Sequence, residues 1–185
     1  MQAGFARTGK KFGYEHYDVK PDLICCGKGM GGGIAVSGVI GKKNIMDLPS
    51  VGEMSSTNSA NPLACVAGIS VIDEINNKKI LKKVRENGEY LKSGLETIMN
   101  RNSIPIRYLM GKGMIYALIF DAKISDIGIK LKKVCFGAMK NGLLVVYTGR
   151  ESIKIGPPLT ISKKAIKEGL QVLEEQISKV FKKTN

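Results

Sequence analysis

The sequence contains little that would set it apart from an ordinary folded domain. Apolar runs such as Met114 to Phe120 and Leu143 to Tyr147 are far shorter than the ~20 residues a bilayer span requires. No secretory leader pattern is visible. There are only 4 cysteines, with Cys25 and Cys26 adjacent and none in a C-x-x-C pair, which excludes both a disulfide framework and a zinc site. No metal centre is expected, and a reducing cytoplasm is the natural compartment. Gly/Ser/Pro linkers, internal repeats and low-complexity tracts are absent. The single histidine, His16, reads as a structural hydrogen-bonding residue rather than a catalyst.

Arginine is also scarce. Of 29 basic residues, 5 are arginine, and against 16 acidic residues the chain carries a formal charge of +13. Residues 1–62 hold 7 Lys+Arg and 5 Asp+Glu, so the excess lies in the remainder. Readers of phosphate backbones mix arginine with exposed aromatics. Here lysines fall in pairs (Lys78-Lys79, Lys82-Lys83, Lys132-Lys133, Lys163-Lys164, Lys182-Lys183) within segments of helical apolar spacing. That pattern describes solvated helix faces, and neither a nucleic-acid nor a membrane partner is expected.

With 185 residues and 43% hydrophobic side chains, the chain can build one ordinary domain or two small ones. Residues 1–62 are glycine-rich, and the runs Leu23 to Cys26 and Ala35 to Ile40 read as buried strands. Asn61-Pro62 is a helix start. It opens Leu63 to Ile75, apolar nearly all round and therefore expected to be buried, followed by an amphipathic helix through Leu81, Val84, Leu91, Leu95 and Ile98. Beyond Asn100 the order reads strand (Gly113 to Phe120), helix (Ser125 to Met139), strand (Leu143 to Tyr147), strand (Ile153 to Ile155) and a helix from about Lys163 capped by Ser162. The expected class is α/β, divided into residues 1–100 and 101–185.

The densest local signal is Gly27-Lys28-Gly29-Met30-Gly31-Gly32-Gly33. It fits G-x-G-x-x-G, but a dinucleotide site needs a helix immediately afterwards, and Ile34 to Ile40 reads as a strand. No Ser or Thr follows Lys28 or Lys112, so the phosphate loop of nucleotide hydrolases is excluded too. What remains is a lysine held by glycines next to a buried strand. It is either an amine nucleophile activated by desolvation or an exposed lysine in a tight strand connection.

Six segments read together narrow the choice. They are Gln2 to Lys10, Tyr14 to Tyr17 with Lys20-Pro21-Asp22, Gly27 to Gly33, Ser55 to Cys65, Gly111 to Met114, and Gly156-Pro157-Pro158-Leu159-Thr160-Ile161. In this order the chain resembles the class III (omega-type) aminotransferases over nearly its whole length. The resemblance implies the fold type I architecture of pyridoxal-phosphate enzymes, with the C-terminal part of the large domain followed by the small C-terminal α/β domain. It implies pyridoxal 5'-phosphate as cofactor, Lys28 as the lysine that bonds to it and later moves the proton, and Thr57, Ser56 and Gln2 as cofactor-binding residues. It also implies an amine or amino-acid donor, a 2-oxo acid acceptor and a homodimer in which Thr57 serves the neighbouring site.

Several positions depart from the family pattern. Asn58 replaces histidine or an aromatic, Ala60 replaces glycine, and Lys154 stands where an arginine often grips a substrate carboxylate. Lysine keeps the charge but loses the fork, and Arg150 is near enough in sequence to substitute. The resemblance places an aspartate that pairs with the pyridine nitrogen three residues before Gln2. The expectation is thus a chain equivalent to the second half of such an enzyme, exposing apolar surface and inactive alone. Two other readings stand beside it: a racemase or epimerase of the same family, and a non-catalytic remnant whose basic helices bind polyanions or a partner subunit.

Overall fold

The structure, a computed structural model, describes residues 1–77, 79–101 and 104–181. Lys78 and the Lys182-Lys183 pair, read from sequence as part of solvated helix faces, lie partly or wholly outside them. Two compact units form, Met1–Lys82 and Lys83–Asn185. The helix expected to close the first domain therefore packs mostly with the second.

In the first unit, β1 (Leu23–Cys26) pairs antiparallel with β2 (Gly38–Gly41), Leu23 opposite Gly41 and Cys26 opposite Gly38. A short α1 (Lys43–Met46) follows, and α2 (Pro62–Asn76) closes the unit. Asn61 caps α2, its Oδ1 accepting from the amides of Leu63 (3.0 Å) and Ala64 (3.3 Å), with Pro62 at the position where no amide is needed. The expected complete burial of this helix is not observed. Ala64, Gly68 and Ile75 are buried, whereas Leu63, Val66, Ile69 and Ile72 are exposed, Leu63 at 79%. Leu23, Val39 and Ile40 on the expected buried strands are exposed as well. A two-stranded ladder and one helix offer a single mutual face, and no other described element covers the remaining ones.

The second unit is built around helix α3 (Lys79–Met99), which begins at the end of the first. Strands β3 (Ile106–Lys112) and β4 (Ile115–Phe120) form a hairpin, α4 (Ile127–Lys140) follows, then β5 (Val146–Tyr147), β6 (Ser152–Ile155) and α5 (Lys163–Phe181). All four strands are antiparallel in the order β3-β4-β6-β5. The sequence reading missed β3: Pro105 and the polar residues Arg107 and Lys112 obscure its period, and pairing with β4 supplies what local pattern does not. The eleven largest fully buried side chains, from Val84 to Ile177, all lie in this unit. Val84, Leu91, Leu95 and Ile98 form the α3 face read from sequence and are buried, as are Leu131 and Val134 of α4 and Leu173 and Ile177 of α5; α4 packs on α5, and Gly94 of α3 lies against Leu170 of α5. The expected Ser162 cap is present, Ala165 N–H donating to its Oγ at 3.1 Å. Two donors of α3, Lys83 Nζ and Asn87 Nδ2, reach the carbonyls of Thr160 (2.8 Å) and Ile161 (2.9 Å), tying the segment after β6 to the helix.

The approach of α3 to the β3–β4 turn is backbone to backbone. A Cβ at Gly88 would lie 2.6 Å from the carbonyl oxygen of Gly113, an atom that cannot swing aside. Gly88→Ala is therefore expected to destabilise this unit by about 1–3 kcal/mol, whereas Gly156→Ala, with nothing near its Cβ, stays within about 0.5 kcal/mol. Thermal denaturation of the two variants checks this. Burial, then the charges of Glu89 and Glu96, push the Tyr116 hydroxyl up to about 12 from 10.0. Its protonated form is favoured by folding, so the unfolded chain binds fewer protons above pH 10 and stability falls as pH rises from there through about 12. Tyr116→Phe is expected to flatten that part of the curve in pH-dependent denaturation.

Candidate active site

Lys28 follows β1 directly and opens a short 3-10 turn, Lys28–Gly31. Its φ is +52°, a left-handed conformation that costs a non-glycine residue about a kilocalorie per mole or more and persists only where surroundings enforce it. The enforcement is visible. A Cβ on Gly29 would stand 3.3 Å from Phe5 Cβ, one on Gly31 would collide with Val36 Cγ1 at 2.7 Å, and one on Gly32, itself at φ +59°, would press on Val71 of α2 at 3.1 Å. The turn is clamped between the N-terminal loop and α2, and side chains at these positions would wedge it out. Phe5 is held in turn by Phe12, ring centroids 5.6 Å apart, and Thr8 Oγ1 lies 3.1 Å from His16 Nε2. His16 thus has the structural role read from sequence. The turn leads to β2, not to a helix, as the rejection of a dinucleotide motif required.

Lys28 lines a cleft of about 680 Å³ together with Ile34, Val36, Ser37, Ser56, Asn58, Ser59, Asn61 and Cys65, a volume in the range of small-molecule sites. The lining offers one primary amine, three hydroxyls and two carboxamides, and no carboxylate. The Ser56–Ser59 turn is closed by Ser59 N–H and Oγ donating to the Ser56 carbonyl (3.0 and 2.6 Å), and Ala60 at φ +54° turns the chain into α2. The left-handed Ala60 explains why glycine suits this position. Within the first turn of α2 the amides of Leu63 and Ala64 are engaged by Asn61. The Ser37 and Ser56 hydroxyls line the cleft close to the N-terminus of α2, whose dipole favours an anion.

Of the residues singled out in the sequence, the fold brings Lys28 and Ser56 to one cleft. Thr57 and Gln2 are exposed and do not line it. Lys154 lies in β6 of the second unit, between Ala117 of β4 and Val146 of β5. Its neighbours Ile153 and Ile155 face inward, which puts Lys154 on the sheet's open face with exposed Met110 in the same cross-strand row. Arg150 is exposed in the turn between β5 and β6. Ser37, Ser59 and Asn61 were missed as cleft residues. Ser59 and Asn61 lie within the Ser55 to Cys65 segment and Ser37 close to the glycine turn, a signal shared by many neighbours.

The chain matches the family model described as Aminotransferase class-III over residues 1–177. It is 34% identical over 181 residues to an acetylornithine aminotransferase of Caldanaerobacter subterraneus subsp. tengcongensis, covering 97% of this chain and 44% of that protein. It is 38% identical over 184 residues to a leucine/methionine racemase of Thermococcus litoralis, covering 97% and 41%. The crystal structure of acetylornithine aminotransferase from Elizabethkingia anophelis superposes with a TM-score of 0.84 at 31% identity, over 96% of this chain and 44% of that one. The chain thus spans less than half the length of these relatives.

Cysteine chemistry probes the cleft without assaying activity. Cys25 and Cys65 are exposed, Cys65 within the cleft, whereas Cys26 is buried and its thiol pKa is raised chiefly by that burial. Iodoacetamide at neutral pH is expected to modify Cys25 and Cys65 at least about tenfold faster than Cys26. Saturating pyridoxal phosphate is expected to protect Cys65 and leave Cys25 unprotected, as read by peptide mass spectrometry.

Proposed function

Because the chain belongs to the class III aminotransferase family, we propose that it carries the lysine of a pyridoxal-phosphate-dependent transfer of an amino group from an amine or amino acid to a 2-oxo acid. The observation that carries this reading is the left-handed Lys28 at the mouth of a cleft that offers an amine and hydroxyl donors but no carboxylate. That donor set suits an anionic aldehyde. Lys28 Nζ would hold the cofactor covalently, and the Ser56 and Ser37 hydroxyls would meet its phosphate. When bound, the pyridine ring supplies an electron sink for the carbon that loses a proton.

The chain's own part is then confined to a few atoms. Lys28 Nζ, positioned by the turn clamped against Phe5 and α2, would be the group that moves a proton at that carbon. Ile34, Val36 and Ala64 give the cleft apolar lining. For a substrate carboxylate, Lys154 would offer a single point charge and Arg150 a forked one. Thr57, exposed outside its own cleft, suits service to a second subunit, and the uncovered side of α2 at Leu63, Val66, Ile69 and Ile72 supplies apolar surface for a homodimer. Racemisation is the second reading, favoured by the 38% identity to the leucine/methionine racemase. It would use the same lysine.

Borohydride reduction after addition of pyridoxal phosphate, followed by peptide mapping, is expected to place the label on Lys28, and Lys28→Ala is expected to remove it. Label spread evenly over the surface lysines would overturn the assignment. Separate assays of amine-to-ketone conversion and of loss of optical activity distinguish transfer from racemisation. Val66→Glu is expected to shift the molecular mass in light scattering toward the monomer, and an unchanged mass would refute the α2 interface.

A further inference from the structure

Helix α4 carries four lysines, Lys130, Lys132, Lys133 and Lys140, and no acidic residue. At 100° per residue, positions 129, 132, 133, 136, 139 and 140 fall within a wedge of about 120°, directly opposite the buried Leu131, Val134 and Ala138. The wedge is half apolar. Ile129 is 54% exposed, Phe136 55% and Met139 48%, and between them stand Lys132, Lys133 and Lys140. Among the described residues none of these three lysines forms an ion pair. Lys140 Nζ instead lies 4.6 Å from the centroid of the Phe136 ring, and Lys132 Nζ lies 5.7 Å from that of Tyr147. A lysine face meant only for solvent has no use for a row of large apolar side chains along its crest.

We infer that the outer face of α4 is a docking surface for an anionic lipid bilayer, seated at the interface without crossing it. Charge sets the sign of the partner: an unpaired basic wedge on a chain of net charge +13 attracts an anionic surface and repels a second copy of itself. Shape sets the class. The helix is held to the sheet by its opposite side, so no acidic groove can enclose it, and the exposed crest is convex and one helix wide. Such a ridge matches a soft planar surface, with Ile129, Phe136 and Met139 entering the boundary between headgroups and acyl chains while the lysine ammonium groups stay at headgroup level. Ile and Met side chains in the wedge have no complement on a phosphodiester backbone, which disfavours nucleic acid as the polyanion.

The experiment is co-sedimentation of the 185-residue chain with vesicles of phosphatidylserine and phosphatidylcholine, and with phosphatidylcholine alone. Binding is expected to the anionic vesicles, weakened by added salt, with little to the neutral ones. Phe136→Ser is expected to weaken it about tenfold, and Lys132→Gln with Lys133→Gln about thirtyfold. Lys163→Gln with Lys164→Gln, the same charge change on α5 outside the wedge, should weaken it by no more than about threefold. All these positions are exposed, and circular dichroism confirms that the variants fold. Absence of binding to anionic vesicles overturns the inference. So does binding that Phe136→Ser leaves intact, or an equal loss from both lysine pairs, either of which describes a diffuse polyanion attraction that duplex RNA would share.

Discussion

The close approach of the glycine turn to its surroundings is the constraint on which the candidate site depends. Lys28 can hold a left-handed backbone after β1 because Gly29, Gly31 and Gly32 admit Phe5, Val36 and Val71 to distances at which a Cβ would be crowded, most severely at Gly31. The turn therefore cannot relax independently of the N-terminal loop or of α2. The same contact determines which side of α2 is buried: the small residues Ala64 and Gly68 face inward, Gly68 lying opposite the Met30 carbonyl. Leu63, Val66, Ile69 and Ile72 of α2 are left on the outside. Clamped lysine and uncovered helix are two results of one packing choice.

The two units solve different problems. The second owns every one of the largest fully buried side chains and has a sheet with helices on one face, so it has a core in the ordinary sense. The first has close backbone approaches, caps and an aromatic cluster, but large apolar residues on its strands and helix remain exposed. Its geometry is precise around Lys28 and open elsewhere, consistent with a chain that spans less than half of its relatives' length. In the second unit Tyr108 and Met110 of β3 and Leu144 and Val146 at β5 are exposed, and so are Ile129, Phe136 and Met139 of α4, a helix whose opposite face is already buried.

Much of this was legible in the amino-acid sequence. Helical periods located α2, α3, α4 and α5 to within a few residues, because burial of one face imposes a spacing that neighbours cannot disguise. Asn61-Pro62 and Ser162 marked helix starts because cap chemistry is local. Lys28 stood out as a lysine among glycines after a strand, but that pattern also describes a tight strand connection, and it was the resemblance over six segments that implied its role. Tertiary structure alone decided the rest. β3 exists through its pairing with β4, a contact between segments whose own pattern is ambiguous. Whether Leu63 to Ile75 is buried depends on what covers it, and hydrophobicity cannot distinguish a covered face from a waiting one. Ser37 and Asn61 joined Lys28 in one cleft only when the chain folded back, and Ile129, Phe136 and Met139 became a crest only when the opposite side of α4 was claimed by the core. Sequence determines what a segment can form by itself, whereas which of its faces meets protein, ligand or solvent is set by partners distant along the chain.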